Sequence, residues 1–285
     1  MTGKHERSIS NAWLIDACDK WDVATEMRTI DGIKTAIYIA SENDHSKQNL
    51  LLIHGLNGSW RGMKQLGYLL KDKYNIFFVD LPGHGSSEVP NDSPTAGAWG
   101  SWARELIDDD IFAHSKSGCI DRVIAHSFGC YVAVLLRQFR DIPTTFLMPV
   151  LHQSRFMDVW SGAVKLTTPI TVATYNIELW SSIRGFCLCH NYNSNSWRAV
   201  RWLSRPPYSS HEQLRYQMKL MNKIPKYSLP EGLSDNVIIG EFDTVGKVSL
   251  SELRRPVLAI TFPGGHMTPI EDAEDLAEVL MLSFE

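Results

Sequence analysis

One serine, Ser127, has the sequence surroundings of a nucleophile. Residues 123–129 read VIAHSFG, so that an apolar strand runs into a turn and a helix follows at once. So sharp a turn requires small residues two positions before and two positions after the serine, and Ala125 and Gly129 satisfy this requirement. The turn would place the hydroxyl at the carboxyl end of the strand, facing a helix N-terminus whose backbone N–H groups can hold an anion. The pattern therefore predicts a nucleophilic serine.

A serine hydroxyl is a weak nucleophile, so it needs a base and a further group that holds the base in the right tautomer. His266 lies in a glycine-containing loop between the last predicted strand and the last predicted helix, and we predict that it is the base. Asp243 follows the preceding strand and is predicted to orient His266, with Glu241 as the nearby alternative. The order serine, aspartate, histidine, with each residue just beyond a strand, suits catalysis at one edge of a parallel sheet.

An acyl-transfer serine also needs hydrogen-bond donors for the oxyanion that develops on the substrate. The backbone N–H of Phe128, which directly follows the serine, is predicted to be one donor. The backbone N–H of Leu56, in the glycine turn after an apolar strand, is predicted to be the other. The alternative for this second segment is an ordinary tight turn between a strand and a helix.

Six further residues are predicted to contact the substrate, because they lie in the loops beside these groups or in a segment that would cover them. They are His54, Gly55, Trp60, Trp160, Trp180 and Met267. The alternative for His54, and for His84 among later glycines, is a hydrogen bond that braces its own loop. His126, next to the serine, is predicted to point away from the hydroxyl.

Short apolar runs alternate with segments of helical period along most of the chain, which is typical of a mostly parallel sheet flanked by helices. The predicted strands are 33–40, 49–53, 75–80, 120–125, 144–148, 236–240 and 256–262, and the predicted helices between them are 60–74, 98–112 and 128–140. Thr268, Pro269 and Glu271 predict the start of a last helix, with Thr268 as N-cap of a capping box.

The alternation stops between residues 150 and 234, and this segment is predicted to be a helical cap inserted into a core of residues 1–149 and 235–285. Ser209 and Glu212 predict a capping box at the start of one cap helix. The segment holds ten lysines and arginines against four acids, a net charge of +6. Either an anionic group of the substrate or docking onto an acidic core would explain this excess.

Composition excludes several other classes of protein. The chain has 285 residues, 44% of them hydrophobic, and a net charge of −4, which does not fit a dedicated nucleic-acid binder. The longest apolar run, 130–136, has seven residues, far fewer than the roughly 20 that a membrane helix needs, so no membrane span is expected. Five cysteines without framework spacing and a start without a signal-peptide pattern favour a cytoplasmic protein.

Cys187, Cys189 and His190 lack a second ligand pair at zinc spacing, so we expect no metal.

Taken together, these motifs resemble the α/β-hydrolase superfamily, in its serine-nucleophile branch with a helical lid. The resemblance rests on His54-Gly55, on the run DLPGHGSS over 80–87, on residues 125–129, on Asp243 and on Gly265-His266. It implies a mostly parallel sheet of eight strands flanked by helices, with the lid entering after strand six. Haloalkane dehalogenases and epoxide hydrolases of this fold are similar but have aspartate at the nucleophile position.

The resemblance and the residues predict a serine hydrolase of the carboxylesterase type that acts on a small-molecule ester with a small or medium acyl group, without a cofactor. The first alternative is a carbon–carbon bond hydrolase or lyase-like enzyme of the same fold that acts on an anionic substrate. The second, from another class, is a ligand receptor that retains the three catalytic residues. The oligomeric state is not predicted.

Overall fold

The protein is described here from a computed structural model. It describes residues 13–40, 44–91, 95–114, 117–150, 210–221, 227–229, 235–243, 245–246, 248 and 258–284. Two predicted substrate contacts, Trp160 and Trp180, lie outside the described residues, as does most of the segment predicted to be a cap.

Eight strands form a single sheet in the order β1-β2-β4-β3-β5-β6-β7-β8. The strands are β1 (Ala24–Ile30), β2 (Ile33–Ile39), β3 (Gln48–Ile53), β4 (Tyr74–Val79), β5 (Arg122–His126), β6 (Thr144–Leu147), β7 (Asn236–Gly240) and β8 (Leu258–Phe262). The β1–β2 and β2–β4 pairs are antiparallel, and all other pairs are parallel. The predicted eight-stranded, mostly parallel sheet is confirmed.

Helices cover the sheet. They are α1 (13–20), α2 (Lys64–Leu70), α3 (Ala96–Ile107), α4 (Gly129–Arg137), α5 (His211–Met221), α6 (Thr268–Glu271) and α7 (Ala273–Ser283). Two short 3₁₀ segments, Trp60–Met63 and Asp110–His114, precede α2 and follow α3. Within the described residues, no helix is long and apolar enough to cross a membrane.

The middle of the sheet is buried on both faces, which explains why its strands are continuous apolar runs. In β3 the residues Leu50 to Ile53 are fully buried, and they belong alternately to the two hydrophobic clusters on either side of the sheet. The register pairs Ile53 with Val79 in β4 and with Ala125 in β5. Three parallel strands therefore end at the same level, and the residues that follow them meet at one edge of the sheet.

One strand, β1, was not among the predicted segments. It is an edge strand that pairs only with β2, and five of its seven residues are exposed. Because neither face of it is consistently buried, it lacks the alternating or continuous apolar pattern by which a strand is recognised in a sequence.

Two predicted helix starts are wrong in detail. The capping box of α5 is formed by Ser210 and Gln213, one residue later than predicted: the Gln213 N–H donates to Ser210 Oγ (3.1 Å), and the Ser210 N–H donates to Gln213 Oε1 (2.8 Å). Thr268 is not an N-cap but the first residue of α6, and its hydroxyl donates to the Gly265 carbonyl (2.8 Å). Ser209 and Ser210 are adjacent in sequence and offer the same hydroxyl, so the three-residue spacing alone does not fix which of them caps α5.

Candidate active site

Ser127 lies in the turn between β5 and α4, where its backbone is in the left-handed region with a φ of 55°. Non-glycine residues rarely adopt this conformation, and it costs of order 1–3 kcal/mol. The turn is held by backbone hydrogen bonds, in which the Ser127 N–H donates to the Leu147 carbonyl at the end of β6 (2.9 Å). The fold therefore holds the serine in a strained conformation at the carboxyl edge of the sheet.

A continuous chain of hydrogen bonds joins the three residues predicted from the sequence. Ser127 Oγ lies 2.8 Å from His266 Nε2, and His266 Nδ1 lies 2.9 Å from Asp243 Oδ2. All three side chains are buried. Because an ionised carboxylate can only accept, His266 carries its proton on Nδ1, which leaves Nε2 free to accept the serine proton. This arrangement can activate a hydroxyl as a nucleophile.

The second oxygen of Asp243 is fixed by the chain that follows it. Its Oδ1 accepts hydrogen bonds from the N–H groups of Val245 (2.8 Å) and Gly246 (2.9 Å). Burial alone would raise the pKa of this carboxyl, but His266 and the hydrogen bonds together outweigh burial, and the pKa lies below its ordinary value. Asp243 is therefore an anion at neutral pH. Glu241, the alternative acid, is exposed in the turn after β7.

The loop after β3 approaches the serine closely. A Cβ atom on Gly55 would lie 2.9 Å from Ser127 Cβ, so a side chain at this position would collide with the nucleophile. The next residue, Leu56, is partly buried against the same hydrophobic cluster that contains Phe128. The loop after β3 therefore passes directly beside the turn that carries Ser127.

A buried network of hydrogen bonds holds this loop. His54 accepts the Leu81 N–H at Nε2 (3.1 Å), and its Nδ1 donates to the Gly55 carbonyl (2.7 Å). Both ring nitrogens are therefore engaged by the backbone. Burial lowers the pKa of His54, although Asp80 opposes this shift, so the ring is neutral. These contacts match the alternative in which His54 braces its loop.

Asp80 belongs to the same hydrogen-bond network, and the sequence analysis assigned it no role. Its carboxylate accepts hydrogen bonds from the Trp60 N–H (2.7 Å), the Tyr38 hydroxyl (2.8 Å) and the Ser86 N–H (2.9 Å). Burial raises the pKa of Asp80, and His54 and these hydrogen bonds oppose the rise. The signal in the sequence was an aspartate directly after an apolar strand, at the level of the other site residues.

Trp60 packs in the hydrophobic core rather than in an open site. It is 7% exposed and stacks on Tyr38, with ring centroids 4.4 Å apart, and it also packs against Phe78. These contacts bury most of the apolar surface of the Trp60 side chain, so the interpretation of Trp60 as a substrate contact is not supported. Met267 directly follows His266 and is half-buried at the start of α6.

Helix α5 docks on the glycine-rich loop that follows β4. Gln213 Nε2 donates to the carbonyl of Gly85 (2.9 Å), and Gln217 Nε2 donates to the carbonyl of Gly83 (2.7 Å). The Tyr216 ring lies directly against Gly83. This helix lies in the segment predicted to be a cap, and the division into core and cap stays a prediction.

Within the described part of the chain, no group of three histidine, cysteine or acidic side chains is placed to hold a metal ion. The residues of the candidate Cys187–His190 ligand set lie outside the described residues.

Comparison with known proteins decides the family. Residues 50–279 match the Alpha/beta hydrolase family. The chain belongs to this family. The superfamily expected from the motifs is therefore confirmed.

Among the relatives of this alpha/beta hydrolase, Protein ABHD8 of Bos taurus is 22% identical over 242 residues, which is 82% of this chain and 49% of that protein. The chain thus spans about half the length of this curated relative.

Solved structures share the fold at low sequence identity. A thermophilic esterase from Thermogutta terrifontis superposes with a TM-score of 0.66 at 19% identity, covering 91% of this chain and 97% of the esterase. The 2-hydroxy-6-oxo-6-phenylhexa-2,4-dienoate hydrolase of Rhodococcus sp. strain RHA1 superposes with a TM-score of 0.63 at 16% identity, covering 92% and 99%. At these identities the likeness shows the fold alone.

Proposed function

We propose that the protein is a serine hydrolase that cleaves carboxylic esters of small or medium acyl groups through an acyl-enzyme on Ser127. The observation that carries the proposal is the hydrogen-bonded chain from Asp243 through His266 to Ser127, with separations of 2.9 and 2.8 Å. The strained backbone of the serine adds support, because strain of this kind is found at functional sites.

In the first half of the proposed reaction, His266 Nε2 takes the Ser127 proton as the oxygen attacks the ester carbonyl. The negative charge of Asp243 stabilises the imidazolium that forms, and its hydrogen bond keeps the ring in position. The N–H groups of Phe128 and Leu56 are the proposed donors to the oxyanion. Within the described residues, neither N–H group has a hydrogen-bond acceptor of its own, which leaves both available.

Collapse of the intermediate expels the alcohol, which receives its proton from His266. A water molecule then attacks the acyl-enzyme with His266 as base, and the acid leaves with Ser127 restored. The chain's own residues suffice for each of these steps.

The test is hydrolysis of p-nitrophenyl esters, from acetyl to palmitoyl, by the wild type and by the Ser127→Ala and Asp243→Asn variants. We expect kcat to fall by about 10³-fold or more in both variants, because each removes one member of a unit that works only as a whole. Circular dichroism and melting curves establish that the variants are folded. Full activity of Ser127→Ala would overturn the site assignment.

Carbon–carbon bond hydrolysis is the second candidate, because the same three residues could serve it and the fold matches a hydrolase named for a 2-hydroxy-6-oxo-dienoate substrate. A substrate of that class is therefore assayed beside the esters. Turnover of the dienoate with no turnover of any ester would replace the first proposal by the second. Absence of both activities in folded wild type would favour a receptor role.

A further inference from the structure

We infer that His126 is a positioning residue for His266, an inference that rests on the proposed function. His126 occupies the last position of β5, directly before the nucleophile. Its side chain reaches across to the loop that carries the proposed base and holds that loop at the base itself. The structure thus offers a second histidine whose task is to fix the first.

The decisive contact is a hydrogen bond from one histidine to the backbone of the other. His126 Nε2 lies 2.7 Å from the carbonyl oxygen of His266, and the contact is buried. Because a carbonyl can only accept, the His126 ring carries its proton on Nε2 and is an obligate donor. The two residues are 140 positions apart in the chain, so the contact joins the central strand to a loop near the end of the chain.

The loop has other anchors, but they hold the two carbonyls that precede His266. The Phe242 N–H donates to the Gly264 carbonyl (3.1 Å), and the Thr268 hydroxyl donates to the Gly265 carbonyl (2.8 Å). Among the described residues, His126 is the partner that fixes the carbonyl of His266 itself. The position of the His266 ring, with Nε2 2.8 Å from Ser127 Oγ, depends on the position of the His266 backbone. The hydrogen bond from His126 therefore bears on the geometry of proton transfer.

His126 also lies close to the loop that follows β3. A Cβ on Gly55 would lie 3.2 Å from His126 Nδ1, and the His126 and His266 ring centroids are 5.0 Å apart. The ring therefore lies where the nucleophile turn, the proposed oxyanion loop and the base loop meet.

The ring must be neutral to play this role. The titratable groups that face it are His266, Asp243 and His54. Burial, reinforced by His266, lowers the pKa of His126 to about 3 even though Asp243 and the backbone hydrogen bond oppose the shift. A neutral neighbour spares His266 from repulsion when it becomes an imidazolium in the proposed reaction.

Two variants separate positioning from simple packing. His126→Phe keeps a planar ring but removes the donor, whereas His126→Gln can place an amide N–H near the position of Nε2. We expect kcat for the preferred ester to fall about 10- to 100-fold in His126→Phe, since a displacement of about 1 Å can cost about 10²-fold. KM should change by less than about twofold, because the bond orients the base and does not bind substrate. His126→Gln should recover most of the lost kcat.

Wild-type kcat in His126→Phe, or a His126→Gln variant no better than His126→Phe, would overturn the inference. A merely structural role would lower the melting temperature of both variants and leave the kcat of the folded fraction intact.

A measurement on the unaltered protein covers the case in which the variants do not fold. Nitrogen-15 NMR of labelled histidines should find His126 as the Nε2–H tautomer, with no titration between pH 5 and 9. Protonation at Nδ1, or titration in this range, would contradict the inference.

Failure of this inference can be told apart from failure of the proposed function. Phosphonylation of Ser127 by a fluorophosphonate probe reports on activation of the serine and needs no ester substrate. If the wild type cleaves no ester but reacts with the probe, the proposed function fails, and the rate in His126→Phe still tests positioning. Equal probe rates in wild type and His126→Phe would overturn the inference.

Discussion

At the scale of single residues, the contacts of Asp243 determine its charge. The carboxylate is buried, yet its pKa is low because His266 and two backbone N–H groups stabilise the anion. The same contacts that orient the base thus also contribute to the stability of the fold.

This coupling predicts an acid-dependent loss of stability. The folded pKa of Asp243 lies below the unfolded value of about 3.9, so the carboxylate contributes stability above that pH and loses it as pH falls through the folded pKa. We expect the unfolding free energy of wild type to fall more steeply below about pH 4 than that of Asp243→Asn, in urea titrations from pH 7 to 3. Asp72→Asn, at an exposed carboxyl, is the control and should follow wild type. Parallel curves for wild type and Asp243→Asn would contradict the assignment.

The sequence was sufficient to locate Ser127, Asp243 and His266, since each follows an apolar strand and the register brings those strand ends together. It was not sufficient for Asp80 and His126. The partner of His126 and two of the three hydrogen-bond partners of Asp80 are backbone groups, and a backbone group has no residue type of its own that a sequence pattern could reveal.

At the scale of elements, the docking of α5 depends on the absence of a side chain at Gly83. Its φ of 75° suits glycine, and a Cβ there would overlap the Tyr216 ring. The carbonyl of Gly83 also accepts the amide of Gln217. Gly83 therefore determines both the path of the loop after β4 and the position at which α5 packs on it.

Substitution of Gly83 by alanine should therefore cost more than backbone strain alone. Gly118→Ala is the matched control, because Gly118 has a similar φ of 67° but open space around its Cβ position. We expect about 1–2 kcal/mol of destabilisation in the control and about 1–3 kcal/mol more in Gly83→Ala, measured by urea unfolding. Hydrogen exchange in residues 211–221 should accelerate only in Gly83→Ala. Equal effects of the two substitutions would show that the packing of α5 does not depend on its contact with Gly83.

Elements were predicted well where burial was regular and less well where it was not. The parallel strands followed from their apolar runs, whereas β1 is an exposed edge and left no such pattern. The start of α5 was misplaced by one residue because Ser209 and Ser210 satisfy the same local rule, and the choice between them is made by contacts of Gln213 with the core.

At the scale of the whole molecule, a buried ion pair connects two segments that the predicted cap separates in sequence. Arg137 at the end of α4 pairs with Asp235, which directly precedes β7. Asp235 also accepts the N–H of Thr144 at the start of β6 (3.1 Å). Asp235 thus links the segment that leads into β7 to α4 and to the start of β6, the last strand before the predicted cap.

Removing one partner of this pair should destabilise the protein strongly. Arg137→Met leaves a buried carboxylate without its cation and should cost about 3–5 kcal/mol. The double variant Arg137→Met, Asp235→Leu should recover part of that loss, because no charge is then left buried. Unfolding curves of both single variants and the double variant form the cycle, and additive effects would show that the pair is not coupled.

The strained backbone of Ser127 lets stability report on function without any substrate. Alanine at this position retains the Cβ atom that makes a φ of 55° unfavourable, whereas glycine does not. Ser127→Gly should therefore unfold at a higher temperature than Ser127→Ala, by the equivalent of about 0.5–1 kcal/mol after the greater chain entropy of glycine is counted. Both variants lack the hydroxyl, so calorimetry compares two proteins that differ in backbone strain and in chain entropy but not in that group. A position at which glycine would make the molecule more stable, and at which the chain nevertheless carries serine, is one where the requirement for a hydroxyl outweighs the preference of the fold.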